Sequence, residues 1–193
     1  MTADNYAAGS TGAAADVLEI VARDHREVEQ LFRQFETADP SSDIARATAE
    51  RIIRELSVHA VVEEEILYPA LREVGGGDAL ADHALEEHQE LKETLASVDG
   101  KPVSDPSVRA NLARVRTLVE RHVGEEERDV FSHMRALGEE RLMRMGTMLE
   151  TAKKTAPTHP HPNAPNTPPG NVIAGMAAAV VDRMRDALRS VRT

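Results

Sequence analysis

Residues 59–68 read HAVVEEEILY, and residues 122–131, which lie 63 positions further along the chain, read HVGEEERDVF. Both stretches begin with His-x-x-x-Glu, and residues four apart lie on one face of a helix. A further histidine precedes each stretch by 34 residues, so the chain carries the set His25, His59, Glu63 and, at the same offset, the set His88, His122, Glu126. Four imidazoles and two carboxylates suit iron or a similar transition metal.

Helical periodicity surrounds these residues, because apolar side chains recur at steps of three and four and strand-like alternation is absent. Each candidate ligand occupies a position on an apolar stripe where a core residue is expected. Pro69 should kink the second helix or end it early. The pattern predicts an all-α, up-down-up-down four-helix bundle with additional C-terminal helices, the four bundle helices spanning about 16–35, 41–73, 78–98 and 104–136.

The flanking segments differ in composition from the bundle. Residues 1–15 are rich in Ala, Gly, Ser and Thr and are expected to be disordered, while the bundle and a short fifth helix occupy 16–155. Most of the ten prolines fall in 156–170, which predicts an extended linker that does not pack as core. Residues 171–193 are predicted to form an amphipathic helix whose apolar side is Ile173, Met176, Val180, Met184, Leu188 and Val191.

Bulk composition excludes several classes of protein. A formal charge of −10 argues against a nucleic-acid partner, because neutralising phosphates needs a basic face. With no cysteine, a metal must be held by nitrogen and oxygen. No apolar run approaches the roughly 18 residues needed for a membrane span. The N-terminus lacks the pattern of a secretory signal, so a cytoplasmic location is expected.

A single histidine on an apolar stripe is usually a core residue with a hydrogen-bond partner. Six ionisable residues are different, because burying the carboxylates unpaired would cost several kcal/mol each. The repeat also extends beyond them, since Glu27 and Arg51 recur as Glu90 and Arg114. This self-similarity predicts two helical hairpins related by a pseudo-twofold axis, each supplying half of one shared two-metal centre.

The ordered set of histidines and glutamates resembles the hemerythrin-like, or HHE cation-binding, domain over about residues 16–136. The resemblance implies a four-helix bundle that holds a non-haem di-iron centre, with two iron ions joined by an oxo or hydroxo bridge. It implies that Glu63 and Glu126 are bridging carboxylates. The four histidines would then be terminal ligands.

Two departures from the oxygen-carrying hemerythrins bear on function. Those proteins place two histidines four apart on the third helix, whereas here Ala84 stands four before His88. They also place the last carboxylate five residues after its histidine, and here the spacing is four. The missing imidazole leaves a coordination position open, which favours reaction with peroxide, nitric oxide or oxygen over reversible oxygen carriage.

Other polar residues near the motifs are expected to have lesser roles. His83 should face a neighbour or solvent, although a helix shift could bring it into the site. Tyr68 is expected to hydrogen-bond at the end of the bundle, with an oxygen-ligand or radical-relay role as the alternative. A solvated acidic collar is expected from four residues, Glu64, Glu65, Glu125 and Glu127. The alternative is that Glu64 or Glu125 acts as a spare carboxylate. His159 and His161 are read as an accident of linker composition rather than a weak metal site.

Two classes of function fit these features. In the first, the di-iron centre reacts with or senses H2O2, O2 or NO in a stress response, and catalase-like turnover is left open. In the second, the chain is an iron or oxygen sensor, or an iron-handling module, that acts through a protein partner. The helix within 171–193 fits self-association into a homo-oligomer, binding of a partner, or packing on its own bundle.

Overall fold

The structure, a computed structural model, describes residues 15–168 and 170–190, and within these ranges it contains helices and no strands. This confirms the prediction of an all-α bundle with additional C-terminal helices. Six helices follow in order, named here α1 (Val17–Thr37), α2 (Asp43–Val62), α3 (Gly77–Ala96), α4 (Pro106–Glu125), α5 (Glu139–Lys153) and α6 (Gly170–Ser190). None of the described helices is both long enough and apolar enough to cross a membrane.

Local sequence signals explain where the bundle helices begin. Asp16 caps α1, since its carboxylate accepts a hydrogen bond from the backbone N–H of Glu19 and Glu19 reaches back in a capping box. Ser42 caps α2 in the same way through the N–H of Ala45. Gly77 opens α3 where the chain turns tightly, because a Cβ atom there would lie 1.9 Å from the carbonyl oxygen of Leu71.

Both α2 and α4 continue into a π-helical turn, and these turns are themselves 63 residues apart. They span Glu63–Leu67 and Glu126–Val130, and each begins at the glutamate of a His-x-x-x-Glu motif. A short α-helical turn follows each, Tyr68–Leu71 in the first copy and Phe131–Met134 in the second. Widened turns of this kind recur at functional sites because they re-aim side chains inside a helix.

Pro69 lies just after the first π-helical turn, and the second helix ends soon afterwards, at Leu71 rather than at the predicted residue 73. Proline has no N–H to donate to the carbonyl of Glu64, five residues earlier, as the π-helical pattern would require. The side-chain amide of Asn171 donates to that carbonyl at 3.3 Å instead. The proline therefore creates a docking point for the start of α6.

The bundle interior consists of two apolar layers separated by the candidate ligands. One layer includes Val21, Val62 and Leu85, and the other includes Val28, Leu56 and Leu91. Along α1, α2 and α3 a candidate ligand histidine lies in sequence between one residue of each layer. The polar cluster is thus surrounded by close-packed apolar side chains that exclude water from it.

The proline-rich segment differs from the prediction that it would not pack. Thr158 and His159 are buried, and their backbone N–H groups donate to the Asp182 carboxylate of α6 at 2.9 and 3.1 Å. The prediction overlooked polar anchoring, since a chain without helix or strand can still be buried once its N–H groups find acceptors.

Of the arrangements left open for the C-terminal helix, the structure shows α6 packed on its own chain. Met176, Val180 and Met184 are exposed, whereas Ala179 and Asp182 are buried. Hydrogen bonds to Asp182, rather than the apolar stripe, fix which side of the helix faces the protein. The other predictions about the terminal segments concern residues 1–14, residue 191 and the side chains at positions 173 and 188. All of these lie outside the described part of the molecule.

Candidate metal centre

The structure brings all six predicted ligands together in the bundle interior, where none is more than 5% exposed. Their potential ligand atoms form two groups, each with all atoms within 4.8 Å of one another. The first group comprises His25, His59, Glu63 and Glu126, and the second comprises Glu63, His88 and His122. Glu63 belongs to both groups and therefore joins them.

The Nε2 atoms of the histidines face the two carboxylates. Glu63 Oε1 lies 3.1 Å from Nε2 of His59, and its Oε2 lies 3.4 Å from Nε2 of His88. Glu126 Oε2 lies 3.2 Å from Nε2 of His25 and 4.0 Å from Nε2 of His122. Each glutamate thus lies next to one histidine from each helical hairpin, an arrangement that has the symmetry of the 63-residue repeat.

Several of these atoms lack a hydrogen-bond partner in the described residues, namely His25 Nε2, Glu63 Oε1 and Glu126 Oε2. Leaving a buried polar atom unsatisfied costs about 1–3 kcal/mol. Three such atoms on adjacent side chains, all of types that bind transition metals, fit a bound cation. The residues present therefore suit the metal centre that their spacing predicts.

The protonation states follow from burial and charge. Burial, together with the charge of Glu126, raises the pKa of Glu63 well above its usual range. Burial also opposes ionisation of Glu126, but its contact with His25 and the nearby imidazoles hold its pKa at about 2. Burial lowers the pKa of His88 well below its usual range, so that imidazole is neutral. Glu126 and His88 are in the forms that bind cations, and a bound cation would release the proton of Glu63.

A carboxylate faces the outer, Nδ1 edge of every candidate ligand histidine. The distances are 2.9 Å for His25–Glu127, 4.0 Å for His59–Asp24, 3.1 Å for His88–Glu64 and 2.9 Å for His122–Glu87. These carboxylates obey the 63-residue repeat, because Asp24 matches Glu87 and Glu64 matches Glu127. At hydrogen-bonding distance, as for His25, His88 and His122, such a partner fixes the proton on Nδ1 and leaves Nε2 to bind a metal, whereas Nδ1 of His59 has no hydrogen-bond partner among the described residues.

The positively charged side chains that contact these carboxylates do not follow the 63-residue repeat. Lys92 contacts Glu64 at 2.9 Å, and both side chains are buried. Burial raises the pKa of Glu64 to about 7 in spite of Lys92. Burial opposes ionisation of Glu87 as well, but hydrogen bonds from His122 and Arg121 hold its pKa at about 2. The two halves of the centre therefore differ in their electrostatic surroundings.

Tyr68 reaches the centre itself, which corrects the expectation that it bonds at the bundle end. Its hydroxyl lies 3.1 Å from Nε2 of His88 and 3.3 Å from both Glu63 and Glu126. The π-helical turn causes this placement, since it sets Tyr68 one wide turn after Glu63. Burial, with the charge of Glu63, raises the pKa of Tyr68 well above its usual range, so the hydroxyl keeps its proton.

The other predictions near the motifs have mixed outcomes. His83 is exposed and pairs with Glu125 at 2.9 Å, so it stays outside the centre as expected. The prediction that Glu64 belongs to a solvated acidic collar is wrong, because Glu64 is buried against His88. Sequence reasoning missed Asp24 and Glu87 entirely. The signal was present, because each directly precedes a candidate ligand histidine and the two are 63 residues apart.

Comparison with known proteins agrees with this geometry. The sequence profile of the hemerythrin HHE cation binding domain matches residues 16–134, which include all six candidate ligands. The chain belongs to this family. As a hemerythrin-like protein it is a cation-binding protein, and the resemblance read from its motifs is confirmed.

Individual relatives extend the comparison. The hemerythrin-like chain is 31% identical over 173 residues to an uncharacterised hemerythrin-like protein of Schizosaccharomyces pombe, covering 88% of this chain and 85% of that one. It is 27% identical over 147 residues to a DNA nickase of Nostoc, of which it spans only 41%. The crystal structure of a hemerythrin HHE cation binding domain-containing protein from Mycobacterium kansasii shares the fold, with a TM-score of 0.62, 24% identity, and coverage of 72% of this chain and 88% of that chain.

Proposed function

We propose that this hemerythrin-like protein holds two iron ions and that the centre reacts with or senses peroxide, oxygen or nitric oxide. The observation that carries the proposal is the pair of buried ligand groups that share Glu63. Imidazole and carboxylate donors suit iron, and the chain offers no thiolate that would favour other metals. When bound, an iron pair supplies redox chemistry toward small oxygen- and nitrogen-containing molecules.

The residues of the chain have distinct roles in this proposal. His25 and His59 would hold one ion, His88 and His122 would hold the other, and Glu63 would contribute to both because it belongs to both ligand groups. Glu126 supplies the permanent negative charge, since its pKa of about 2 keeps it ionised. The carboxylates on the Nδ1 edges orient the imidazoles and keep Nε2 available.

Tyr68 is placed to act on a small molecule in the centre. Its hydroxyl keeps its proton and lies within 3.3 Å of Glu63 and Glu126. From there it can donate a hydrogen bond to an oxygen or nitrogen atom bound between the two ligand groups. The surrounding apolar layers exclude bulk water, which strengthens such a bond.

Open coordination positions favour reaction over storage. Four imidazoles and two carboxylates cannot fill the coordination spheres of two iron ions, and sites with few protein ligands are those that react with small molecules. Position 84, where the oxygen carriers have a further histidine, is a buried alanine.

The test is catalase-like disproportionation of peroxide to water and O2 by iron-loaded protein, with the released O2 followed by an oxygen electrode. Glu63→Gln should abolish it, because the amide cannot bridge two cations as a carboxylate does. Glu65→Gln, a substitution two residues away outside both ligand groups, serves as the matched control and should keep the wild-type rate. Equal rates in wild type and Glu63→Gln, or in metal-free protein, would refute the proposal.

A sensing function through a partner is favoured by the exposed apolar side chains on α6. Met176, Val180, Val181 and Met184 are all more than half exposed. If nitric oxide or peroxide alters the hydrogen-exchange protection of α6 while no turnover occurs, sensing is the function. Turnover with unchanged protection of α6 would favour the enzyme.

A further inference from the structure

The pseudo-twofold repeat places a surface cleft above the Nδ1 edge of His25 and another above that of His88. The first cleft lies between α1 and α4 and is bounded by Gly124 and Glu127. The second lies between α2 and α3 and is bounded by Val61 and Glu64, the residues 63 positions earlier. The first cleft thus reaches the candidate ligand His25 directly, and the second reaches Glu64, which contacts Nδ1 of His88.

The two clefts differ in how they are covered. The second is lined on its outer side by residues from the 157–165 and 171–178 segments, and its volume is only about 30 Å³. None of the residues that line the first cleft comes from these two segments, and the volume of this cleft is about 350 Å³. At about 30 Å³ per molecule in the liquid, the first cleft has room for several waters or a small solute. The C-terminal segment therefore closes one of two equivalent approaches.

We infer that the cleft between α1 and α4 admits small uncharged molecules to the His25 side of the centre. This inference rests on the proposed function and names the route and the class of molecule. The lining of the cleft includes the apolar side chains of Phe32, Val119 and Val123 beside those of His25 and of charged residues. Apolar walls suit a neutral molecule, whereas a charged one would lose hydration without compensation.

Charges at the mouth of the cleft do not favour ions. Arg26 is paired with Glu127, and Arg116 is paired with Glu36 and Glu120. Because each guanidinium already contacts a carboxylate, neither forms a strong attraction for an anion. Peroxide, oxygen and nitric oxide are all neutral at physiological pH and small enough for the cleft.

The His25 ring is the wall between the cleft and the centre. Its Nδ1 atom contacts Glu127 at 2.9 Å on the cleft side, and its Nε2 atom lies 3.2 Å from Glu126 inside. Because His25 would hold an ion, passage beside its ring requires a transient movement of Glu127. The side chain of Glu127 is about one-third exposed, so it can move toward solvent.

Gly124 offers a way to block the route without disturbing the fold. A Cβ atom at Gly124 would meet none of the described atoms within 4 Å. A glycine inside a helix costs about 1 kcal/mol relative to alanine, so a larger residue is tolerated by the backbone. A leucine side chain at this position would project into the open cleft.

The experiment measures nitric oxide binding to ferrous, iron-loaded protein by stopped-flow absorption. Gly124→Leu should slow association and dissociation together, by about tenfold, because a blocked route changes rates and leaves the equilibrium constant unchanged. Gly124→Ala and Val61→Ala are the controls and should keep wild-type rates. Wild-type rates in Gly124→Leu, or an equal change in Val61→Ala, would overturn the inference.

A second measurement uses metal-free protein and separates the two proposals. Xenon should shift the methyl NMR signals of Val119 and Val123 in wild type and should not do so in Gly124→Leu. If wild-type protein gives no nitric oxide signal, the proposed function fails regardless of xenon. If xenon is excluded from Gly124→Leu yet nitric oxide binds at the wild-type rate, the route fails and the proposed function stands.

Discussion

Nδ1 of His122 donates a hydrogen bond across 2.9 Å to the carboxylate of Glu87, a residue on the neighbouring helix α3. Because hydrogen bonds hold the pKa of Glu87 at about 2, this carboxylate is an acceptor at any physiological pH. The proton of the imidazole is thereby fixed on Nδ1, and Nε2, which faces the interior 3.2 Å from Nε2 of His88, carries the lone pair that can bind a metal.

Replacing Glu87 with glutamine should weaken metal binding by about 10- to 100-fold, the range found when an outer partner of a ligand histidine is lost. The amide removes the negative charge that orients His122. Competition with a chelator of known affinity measures the effect. Glu86→Gln, an exposed neighbour on the same helix, is the control and should bind metal as wild type does.

Removing a candidate ligand should cost both metal and stability. His59→Ala and His122→Ala each leave a buried carboxylate without its cation, so we expect loss of bound metal and a fall in Tm of roughly 5–10 °C. Elemental analysis and calorimetry on the same samples provide the readouts. His83→Ala is the matched control because that histidine is exposed. Full metal content and unchanged Tm in both ligand variants would mean that the site is misassigned.

The buried pair of Lys92 and Glu64 should matter to the metal-free fold. Lys92→Met leaves Glu64 buried without its cation, and breaking a buried pair in this way costs about 3 kcal/mol in the free energy of unfolding. Urea unfolding at pH 8, above the pKa of about 7 for Glu64, measures the difference. The exposed Lys101→Met should change the free energy by less than about 0.5 kcal/mol. A similar value for Lys92→Met would show that the pair contributes little.

Docking of the C-terminal segment should weaken as pH rises. A hydrogen bond to Asp99 raises the pKa of His159, against burial and the nearby Arg185, and Asp186 adds to the rise. The stabilisation is therefore fully present below the ordinary histidine pKa of about 6.5 and is lost as pH passes the higher folded-state value. Amide exchange in α6, corrected for the intrinsic pH effect, should show this loss. In His159→Gln the pH dependence should disappear, and its persistence would assign the effect to another group.

The fold and the six candidate ligands could be predicted from the sequence because the same repeated spacing of residues indicates both. The spacing of His25, His59 and Glu63, repeated once, fixes a helix face and a set of metal donors together. Apolar periodicity around these residues then required them to be buried. At each of the six candidate ligands, the spacing of metal donors and the apolar periodicity indicate the same buried position. The structure accordingly brings the whole set together.

Other features could not be predicted because they depend on contacts between distant parts of the chain. A π-helical turn has no strong sequence signature, so the placement of Tyr68 in the centre was not foreseen. The burial of Thr158 depends on Asp182, which lies 24 residues later and reads in the sequence as one charge on an amphipathic helix. Asp24 and Glu87 form an intermediate case, since comparing the two copies position by position would have found them.

The two ligand groups that share Glu63 should each hold one metal ion. The most direct test is the metal content per folded chain, measured by elemental analysis after purification without chelator or metal-affinity resin and again after reconstitution with ferrous iron. We expect two irons per chain in wild type and fewer than one in Glu63→Gln, because that residue belongs to both groups. A folded wild-type protein that remains metal-free after reconstitution would contradict the assignment.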